Sequence, residues 1–312
     1  MTVDAHNVSV VICAYTMDRW RDLVASVEAA LNQTSSPGEV IVVIDYNPTL
    51  LEQARRELCN VIVVENNEAH GLGGARNSGM SAARGEVVAF LDDDAIASPD
   101  WLEQLCAGYQ DEAVVGVGGA TEPMYASGRP SWFPEEFGWV VGCDYRGMPE
   151  GMAPVRNLFG CNMSFRRDVL MAVGGFQLGY GCDETELCIR LRNQLPGSVL
   201  LYAPQARIQH RVPPSRARWS YFLSRCYFEG GSKANVARLV GPKDALASER
   251  AYTFRTLPLG VMRGLADTVL SRDPYGLARA GAITAGLLAT TAGYVRGRVL
   301  TAVGVPQRTA AS

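Results

Sequence analysis

Short apolar runs alternate with segments of helical periodicity along the first 120 residues. The runs are rich in β-branched residues, which predicts strands that are buried on both faces. In the segments between them, apolar residues recur three or four positions apart, as at Trp20, Leu23, Val27 and Leu31, which predicts helices. The predicted strands cover residues 8–13, 40–44, 61–64, 87–91 and 114–117.

Buried strands that alternate with helices are typical of a Rossmann-like α/β fold. In such a fold a mostly parallel sheet has helices on both sides. Ligands of these sheets bind beyond the carboxyl ends of the strands. Polar residues that directly follow a predicted strand are therefore the first candidates for a functional site.

Residues 121–157 depart from this pattern because five prolines and several aromatic residues interrupt them, among them Trp132, Phe133 and Trp139. We expect irregular loops that form a lid. The aromatic rings would either stack on a sugar or lipid acceptor or pack against one another. The later segments predict helices at 167–173, 185–194 and 219–228, strands at 199–202 and 206–209 that are split at Pro204, and a helical tail after residue 256.

The strongest candidate site is the triplet Asp92, Asp93 and Asp94, which follows the fourth predicted strand. Three adjacent carboxylates repel one another unless a cation lies among them. Carboxylate oxygens suit Mg²⁺ or Mn²⁺, and such an ion could bridge to a diphosphate. The alternative is a solvated acidic turn before the helix predicted at Ser98. The position of the triplet after a buried strand favours the metal site.

A glycine-rich segment, HGLGGARNSG, precedes that strand. Gly71 and Gly74 permit close backbone approach, and the helix that follows has a free N-terminus suited to phosphate. Arg76 could pair with phosphate or orient an aspartate, and Asn77 could cap the helix or bond a ribose hydroxyl. Because the segment matches neither a dinucleotide-binding nor a Walker pattern, a tight loop before a helix is the alternative.

Other candidates lie at the ends of further elements. Asp45 ends the second strand, where it could accept a hydrogen bond from a base or a ribose, and Tyr15 follows the first strand, where it could flank the base. Either residue could instead belong to a turn. His210 ends a late predicted strand and could be a third metal ligand, although a lone histidine is more often structural.

Asp183 and Glu184 lie at the start of the helix predicted near residue 185. A carboxyl group among apolar residues can have a raised pKa and act as a general base. Acidic residues in the first turn of a helix are also ordinary partners of its dipole, and Glu186 fits that interpretation better.

Taken in order, these motifs resemble the family 2 glycosyltransferases, inverting enzymes of the GT-A fold, from about residue 8 to residue 231. VVICAY resembles the opening strand of the family, and EVIVVID its nucleoside-binding strand. GGARNSGMSAARGEVVAFLDDDA is the most specific stretch and resembles the donor and metal site. FGCNMSFRRDVLMAVGGF resembles the acceptor-side segment, CDETELCIRL the stretch with the catalytic base, and IQHRVPPSR the late histidine.

The resemblance implies that Asp92 and Asp94 hold Mn²⁺ or Mg²⁺ with the ribose-phosphate, and that His210 completes the metal site. The catalytic base would be Glu184 or Asp183, because the family commonly has Glu-Asp where this chain has Asp-Glu. The metal would neutralise the leaving nucleoside diphosphate while the base takes a proton from the acceptor hydroxyl. The implied donor-binding residues are Ala14, Tyr15, Asp45, Gly74, Arg76, Asn77, Asp92 and Asp93.

The resemblance also implies a domain organisation. Residues 1–240 would form the glycosyltransferase domain, with a nucleotide-sugar-binding half at 1–120 and an acceptor-binding half at 121–240. Residues 241–312 would form a C-terminal helical extension. Two other functions are possible for such a chain, a sugar nucleotidyltransferase and a catalytically inactive nucleotide-sugar-binding homologue. The lack of glycine after the first strand argues against the nucleotidyltransferase.

Composition and charge limit the partners. A formal net charge of −3 gives no indication of a nucleic-acid partner, because proteins that bind nucleic acids usually have a concentrated basic surface. Residues 255–312 contain seven arginines and two aspartates, so a basic, apolar tail follows an acidic body. Such a tail suggests peripheral contact with an anionic membrane, and a tail docked on the body is an equal alternative. The apolar run 280–295 is too short to span a bilayer.

The expected location is the cytoplasm or the inner face of the cell membrane. Most of the eight cysteines lie within apolar runs, as free buried thiols do, which indicates a reducing compartment. The N-terminus does not resemble a signal peptide. The donor would be a nucleotide sugar, whose base and sugar the motifs leave open. The acceptor would be a glycan, a lipid-linked sugar or a small molecule.

Overall fold

The computed structural model describes residues 3–177, 183–240 and 251–302. The contacts among these residues divide them into two compact units. The first unit contains residues 3–122, 149–177 and 183–210, and the second contains residues 123–148, 211–240 and 251–302. The sequence-based division into a glycosyltransferase domain (1–240) and a C-terminal extension (241–312) was made by expected function, whereas these units are defined by contacts. That functional division stays a prediction.

Parallel strands form one half of the sheet in the first unit. They are β1 (Val8–Ala14), β2 (Glu39–Ile44), β3 (Ile62–Glu65) and β4 (Val87–Asp92), in the spatial order β3-β2-β1-β4. Cys13 of β1 lies opposite both Val43 and Asp92, so the carboxyl ends of three strands reach the same edge of the sheet. Three helices connect the strands: α1 (Trp20–Leu31), α2 (Pro48–Glu57) and α3 (Leu72–Ala82).

The other half of the sheet is antiparallel, so the sheet as a whole is mixed rather than mostly parallel. Its strands are β5 (Ala95–Ala97), β6 (Val114–Tyr125), β7 (Ala153–Val155), β8 (Asn162–Arg166) and β9 (Val199–Val212). Strand β8 pairs antiparallel with both β4 and β6, and β9 pairs antiparallel with β5 and β7. The helices of this half are α4 (Trp101–Cys106), α5 (Arg167–Ala172) and α6 (Asp183–Gln194).

The strand pair expected around Pro204 is wrong, because β9 is one continuous strand. Residues 200–202 pair with β7, whereas residues 208–210 pair with β5. Pro204 lies between these two ladders, where its missing N–H interrupts neither of them. Buried and exposed residues alternate along the second half of the strand.

Side chains from both faces of the parallel strands are buried. Val10 and Ile12 pack in one cluster with Leu23 of α1, whereas Val11 packs in another with Met80 of α3. Successive residues of a strand point to opposite faces, so an uninterrupted apolar run supplies both clusters. The packing on both faces holds in place the carboxyl ends of these strands, where the polar residues of the candidate site lie.

The second unit is mainly helical. It contains a 3₁₀ segment (Glu135–Val141), α7 (Trp219–Val240), a π-helical turn (Tyr252–Thr256), α8 (Leu257–Leu270) and α9 (Tyr275–Ala302). The helical tail expected after residue 256 is thus confirmed. None of the described helices has the combination of length and hydropathy that a membrane span requires.

Aromatic residues of the segment 121–157 form the core of this second unit. Phe133 and Phe137 are fully buried and contact Phe222 of α7. The indole N–H of Trp139 donates to the Tyr252 hydroxyl at 3.0 Å. The aromatic rings of this segment were expected either to stack on an acceptor or to pack against one another. Phe133 packs against other rings, and a buried ring offers no face to a sugar.

Candidate active site

Asp92, Asp94 and His210 form a cluster of potential metal ligands at the edge of the sheet. Asp92 ends β4, and Asp94 directly precedes β5. Because β5 pairs with β9 so that Ala95 lies opposite His210, the imidazole reaches the aspartates. One ligand atom from each of the three residues lies within 4.8 Å of the others. Asp94 and His210 are buried, whereas the Asp92 side chain is 27% exposed.

This donor set fits a divalent cation. The two carboxylates offer the oxygen ligands that Mn²⁺ and Mg²⁺ prefer, and the imidazole adds one nitrogen ligand beside them. The neighbouring Asp93 adds an independent observation, because its buried Oδ2 has no hydrogen-bond partner among the described residues. Burial raises the pKa of Asp93 to about 7, and the nearby Asp92 and Asp94 carboxylates add to this rise. Concentrated negative charge of this kind is stabilised by a cation.

Arg19 provides part of the positive charge at this cluster. It ends a 3₁₀ turn after β1, donates to Asp93 Oδ1 at 2.9 Å and lies 3.3 Å from Asp94 Oδ2. The guanidinium also lies over the Tyr15 ring, 5.5 Å from its centroid. The sequence motifs did not single out Arg19. Its position after the first strand, at the edge that carries the aspartates, was the signal that could have identified it.

Arg76 contacts the cluster from α3. Its Nη2 donates to the Gly160 carbonyl at 2.8 Å and lies 3.4 Å from Asp92 Oδ1. A Cβ at Gly160 would lie 2.9 Å from this nitrogen, so a side chain there would have to displace the guanidinium. Of the two roles considered for Arg76, this geometry favours orientation of an aspartate. The guanidinium also lies over the Phe176 ring.

Asn77, the next residue of α3 after Arg76, bonds the backbone of a later segment. Its side-chain amide donates to the Phe176 carbonyl at 2.9 Å and accepts from the Phe176 N–H at 2.8 Å. These bonds give the side chain a structural role in the first unit. The contact between Asn77 and a ribose stays a prediction.

Asp45 organises the loop before α3. Its Oδ1 accepts from the Asn66 amide at 2.6 Å, and its Oδ2 accepts from the Gly71 N–H at 3.0 Å. Its own N–H donates to the carbonyl of the buried Ala14 at 2.8 Å. Tyr15, which follows Ala14 in the chain, is 46% exposed, so its ring is accessible to a ligand. None of the sequence motifs includes Asn66, which the structure places beside Asp45.

Gly71 and Gly74 are required by the loop itself. Gly71 precedes α3 with a φ of 115°, a conformation that favours glycine. A Cβ at Gly74 would lie 1.8 Å from the Ala69 carbonyl oxygen, closer than any contact between these atoms allows. Donor binding at Gly74 stays a prediction, and the close backbone approach gives a separate reason for the glycine.

The acidic pair lies on a separate element, at the start of α6. Asp183 and Glu184 are partly buried in its first turn, and the residues directly before them, 178–182, lie outside the described part of the chain. Glu186 pairs with Arg190 at 2.8 Å, and Arg190 also donates to the Val173 and Gly175 carbonyls. Glu186 therefore has a structural role, which leaves the other two carboxylates as candidates for chemistry.

Comparisons with known proteins agree with these motifs. The model of the family described as glycosyl transferase family 2 matches residues 9–174. The chain is 36% identical over 306 residues to the glucosyl-dolichyl phosphate glucuronosyltransferase of Haloferax volcanii, covering 93% of this chain and 96% of that protein. It is 24% identical over 234 residues to the succinoglycan biosynthesis protein ExoM of Rhizobium meliloti, covering 72% and 73% of the two chains.

Among solved structures, the mannosyltransferase PcManGT from Pyrobaculum calidifontis, in complex with GDP-Man and Mn²⁺, has a similar fold. The TM-score is 0.56 with 16% sequence identity, covering 92% of this chain and 88% of that chain. These findings decide against a sugar nucleotidyltransferase. The chain belongs to glycosyltransferase family 2 and is a glycosyltransferase of the GT-A fold.

Proposed function

We propose that this enzyme transfers a sugar from a nucleoside-diphosphate sugar to an acceptor hydroxyl with inversion at the anomeric carbon. The observation that carries the proposal is the cluster of Asp92, Asp94 and His210, whose ligand atoms lie within 4.8 Å of one another. Asp92, Asp94 and His210 would hold Mn²⁺ or Mg²⁺, which supplies positive charge to a leaving diphosphate.

The protein's own residues prepare this site. Arg19 and Arg76 hold the aspartates from two sides, through contacts of 3.3 Å to Asp94 and 3.4 Å to Asp92. Side chains that are already oriented need less reorganisation when the donor binds. The Asp45 carboxylate bonds the N–H of Gly71 at the start of α3, so negative charge already lies at that helix end. We therefore assign the donor diphosphate to the metal cluster rather than to this helix.

The nucleoside would lie over the ends of β1 and β2. Tyr15 offers an exposed ring for stacking on the base, and Asp45 has lone pairs left for a base N–H after its two bonds to the loop. Arg19 contacts both the Tyr15 ring and the aspartates, so it connects the proposed base and diphosphate sites.

The proposed catalytic base is Glu184, with Asp183 as the alternative. In inverting transfer one carboxylate takes the proton of the acceptor hydroxyl while that oxygen attacks the anomeric carbon from the face opposite the leaving group. Glu186 is engaged with Arg190, which supports the choice of the two preceding acidic residues.

For the acceptor we propose a sugar linked to a lipid phosphate, used at the cytoplasmic face of a membrane. The support is the relative from Haloferax volcanii, whose name describes transfer of glucuronate to glucosyl-dolichyl phosphate and which aligns with 93% of this chain. An alignment of that extent includes much of the C-terminal helical region as well as the catalytic part.

Calorimetry tests the donor site. UDP, GDP and dTDP are titrated with and without Mn²⁺ into the wild type, Asp94→Ala and the control Glu112→Gln, which removes one exposed surface carboxylate. We expect one nucleotide to bind in a metal-dependent manner to the wild type and to the control, and to lose that binding in Asp94→Ala. Metal-independent binding, or binding that survives in Asp94→Ala, would contradict the assignment. NMR of fresh product tests inversion, because a retained anomeric configuration excludes the single-displacement route.

A further inference from the structure

Helix α8 exposes an apolar face. Its exposed side chains include Leu259, Met262, Leu265 and Val269, which recur three or four positions apart, and Leu270 and Phe254 extend the same set at either end. Met262 is 65% exposed and Val269 is 75% exposed. A contiguous apolar surface of this kind on a folded protein marks an interaction site for a membrane or another protein.

The opposite face of α8 is buried within the second unit. Its buried residues are Leu257, Gly260 and Gly264. A Cβ at Gly264 would lie 2.6 Å from the carbonyl oxygen of Gly276, so α8 and α9 pack with their backbones in close contact. The exposed face is thus one side of an otherwise well-packed helix.

Unpaired positive charges flank this face. Both acidic residues of the described tail, Asp267 and Asp273, accept from Arg279, at 2.9 Å and 2.8 Å. Arg255 lies in the turn before α8, and Arg272 follows the helix directly. Neither of these two exposed arginines has an acidic partner among the residues that the structure describes. The face is therefore apolar along its length and positive at both ends.

We propose that α8 lies flat on an anionic lipid bilayer, with its apolar face among the acyl chains and Arg255 and Arg272 at the lipid phosphates. Helices with an apolar face and flanking arginines bind at such interfaces, where burial of the apolar area and attraction to anionic headgroups add together. A second copy of the chain fits less well. A two-fold pairing with the two α8 helices antiparallel and aligned along their length would bring Arg255 of one copy close to Arg272 of the other, with no acidic residue on the face to offset the repulsion.

The proposal is independent of the catalytic assignments, because it concerns only the surface of the second unit. If the acceptor is lipid-linked, the contact keeps the enzyme at the bilayer that contains its substrate. Vesicle binding can be measured without donor, acceptor or metal, so its failure and a failure of the proposed function are distinguishable.

Vesicle flotation with the full chain tests the proposal. The vesicles consist of phosphatidylcholine alone or of phosphatidylcholine with phosphatidylglycerol, at low and at high salt. The double variant Met262→Glu/Val269→Glu places two charges on the face, and Met171→Glu is the matched control, because it changes an exposed methionine of α5 in the first unit. A third variant, Arg255→Gln/Arg272→Gln, removes the flanking charges.

We expect the wild type and Met171→Glu to float with anionic vesicles at low salt, and the double glutamate variant to lose about tenfold or more of that binding. The arginine variant should lose its preference for anionic over neutral vesicles, and high salt should have the same effect on the wild type. Circular dichroism and thermal unfolding establish that each variant is folded.

Three results would overturn the proposal. The wild type could fail to float with either vesicle, or the double glutamate variant could float as well as the wild type does. Alternatively, sedimentation could show a wild-type dimer without lipid that becomes monomeric in the double glutamate variant, which would assign the face to self-association.

Discussion

The Nε2 atom of His210 lies 3.2 Å from Oδ1 of Asp94, although the two residues are far apart in the sequence. The antiparallel pairing of β5 with β9 brings them together, because Ala95, next to Asp94, lies directly opposite His210. A short strand of three residues thus determines whether the aspartates have an imidazole nitrogen beside them.

Replacement of His210 tests its proposed role as a ligand. His210→Gln should weaken Mn²⁺ affinity by about tenfold or more, because an amide is a poorer metal ligand than an imidazole. Electron paramagnetic resonance of free Mn²⁺ measures the affinity directly. The control is His6→Gln at an exposed position near the N-terminus, which should leave the affinity unchanged. Equal affinities in both variants would exclude His210 as a ligand.

Removal of Arg19 should make the protein depend on the metal for stability. Arg19→Met takes away the guanidinium between Asp93 and Asp94, and the buried carboxylates then repel one another without compensation. We expect the metal-free variant to lose about 1–3 kcal/mol of unfolding free energy. Saturating Mn²⁺ should restore a large part of the loss. Urea titrations with EDTA or with Mn²⁺ measure both values.

The control for this experiment is Arg21→Met, which removes an exposed arginine of α1. Its stability should be close to that of the wild type under both conditions. If Mn²⁺ stabilises Arg19→Met no more than it stabilises the wild type, Arg19 does not share the site with the metal.

Two isosteric variants distinguish the candidates for the base. The variant that lacks the base should lose about 10²–10⁴-fold in kcat, whereas its affinity for nucleotide and Mn²⁺ stays unchanged. We expect this behaviour from Glu184→Gln and only a few-fold effect from Asp183→Asn. Single-turnover kinetics with a saturating donor provide the rates. The reverse order would transfer the role to Asp183, and small effects in both would remove it from α6.

Alanine at two glycines should have opposite effects on stability. Gly74→Ala should destabilise the protein by about 1–3 kcal/mol, because the new Cβ would meet the Ala69 carbonyl oxygen at 1.8 Å. Gly281→Ala, in α9, has no atom within 4 Å of the new Cβ and should stabilise the helix by about 0.5–1 kcal/mol. Thermal unfolding at one pH compares the two. A Gly74→Ala variant as stable as the wild type would disagree with this loop geometry.

The buried thiols should be unreactive in the native protein. Burial raises the pKa of Cys188 and of Cys226 to about 12, so neither forms appreciable thiolate at pH 9. Iodoacetamide at that pH should alkylate the exposed Cys59 and leave these two thiols intact, as peptide mass spectrometry can establish. Alkylation of either buried thiol at the rate of Cys59 would contradict their burial.

The same pKa shifts predict how stability depends on pH. A folded-state pKa above the unfolded value means that folding favours the protonated thiol. This contribution is complete below about pH 9 and is lost as the pH rises toward 12. Urea titrations between these limits should show a falling free energy of unfolding, and the fall should be smaller in Cys188→Ala.

The hydrophobic pattern of short stretches of sequence was sufficient to predict the parallel half of the sheet. The runs at β1, β2 and β4 are apolar on both faces, and a segment of this kind has few stable alternatives to a buried strand. The Asp triplet was recognisable for the same reason, since it directly follows such a strand.

The pairing of strands in the antiparallel half depends on contacts between residues that are far apart in the sequence, so short stretches of sequence could not predict it. The continuity of β9 through Pro204 depends on tertiary pairing, because β9 lies beside β6 in the sheet and also pairs with the short strands β7 and β5. The burial of Phe133 likewise depends on Phe222 of α7.

The sequence by itself determined the parallel strands, the order of the motifs and the family, because hydrophobic periodicity and motif spacing are properties of neighbouring residues. Only the tertiary structure decided which charges meet. Arg19 contacts the aspartates, Asp45 bonds the Gly71 N–H, and Glu186 is paired with Arg190. Coulomb and hydrogen-bond energies depend on distances of a few ångströms, and those distances exist only after distant strands have paired.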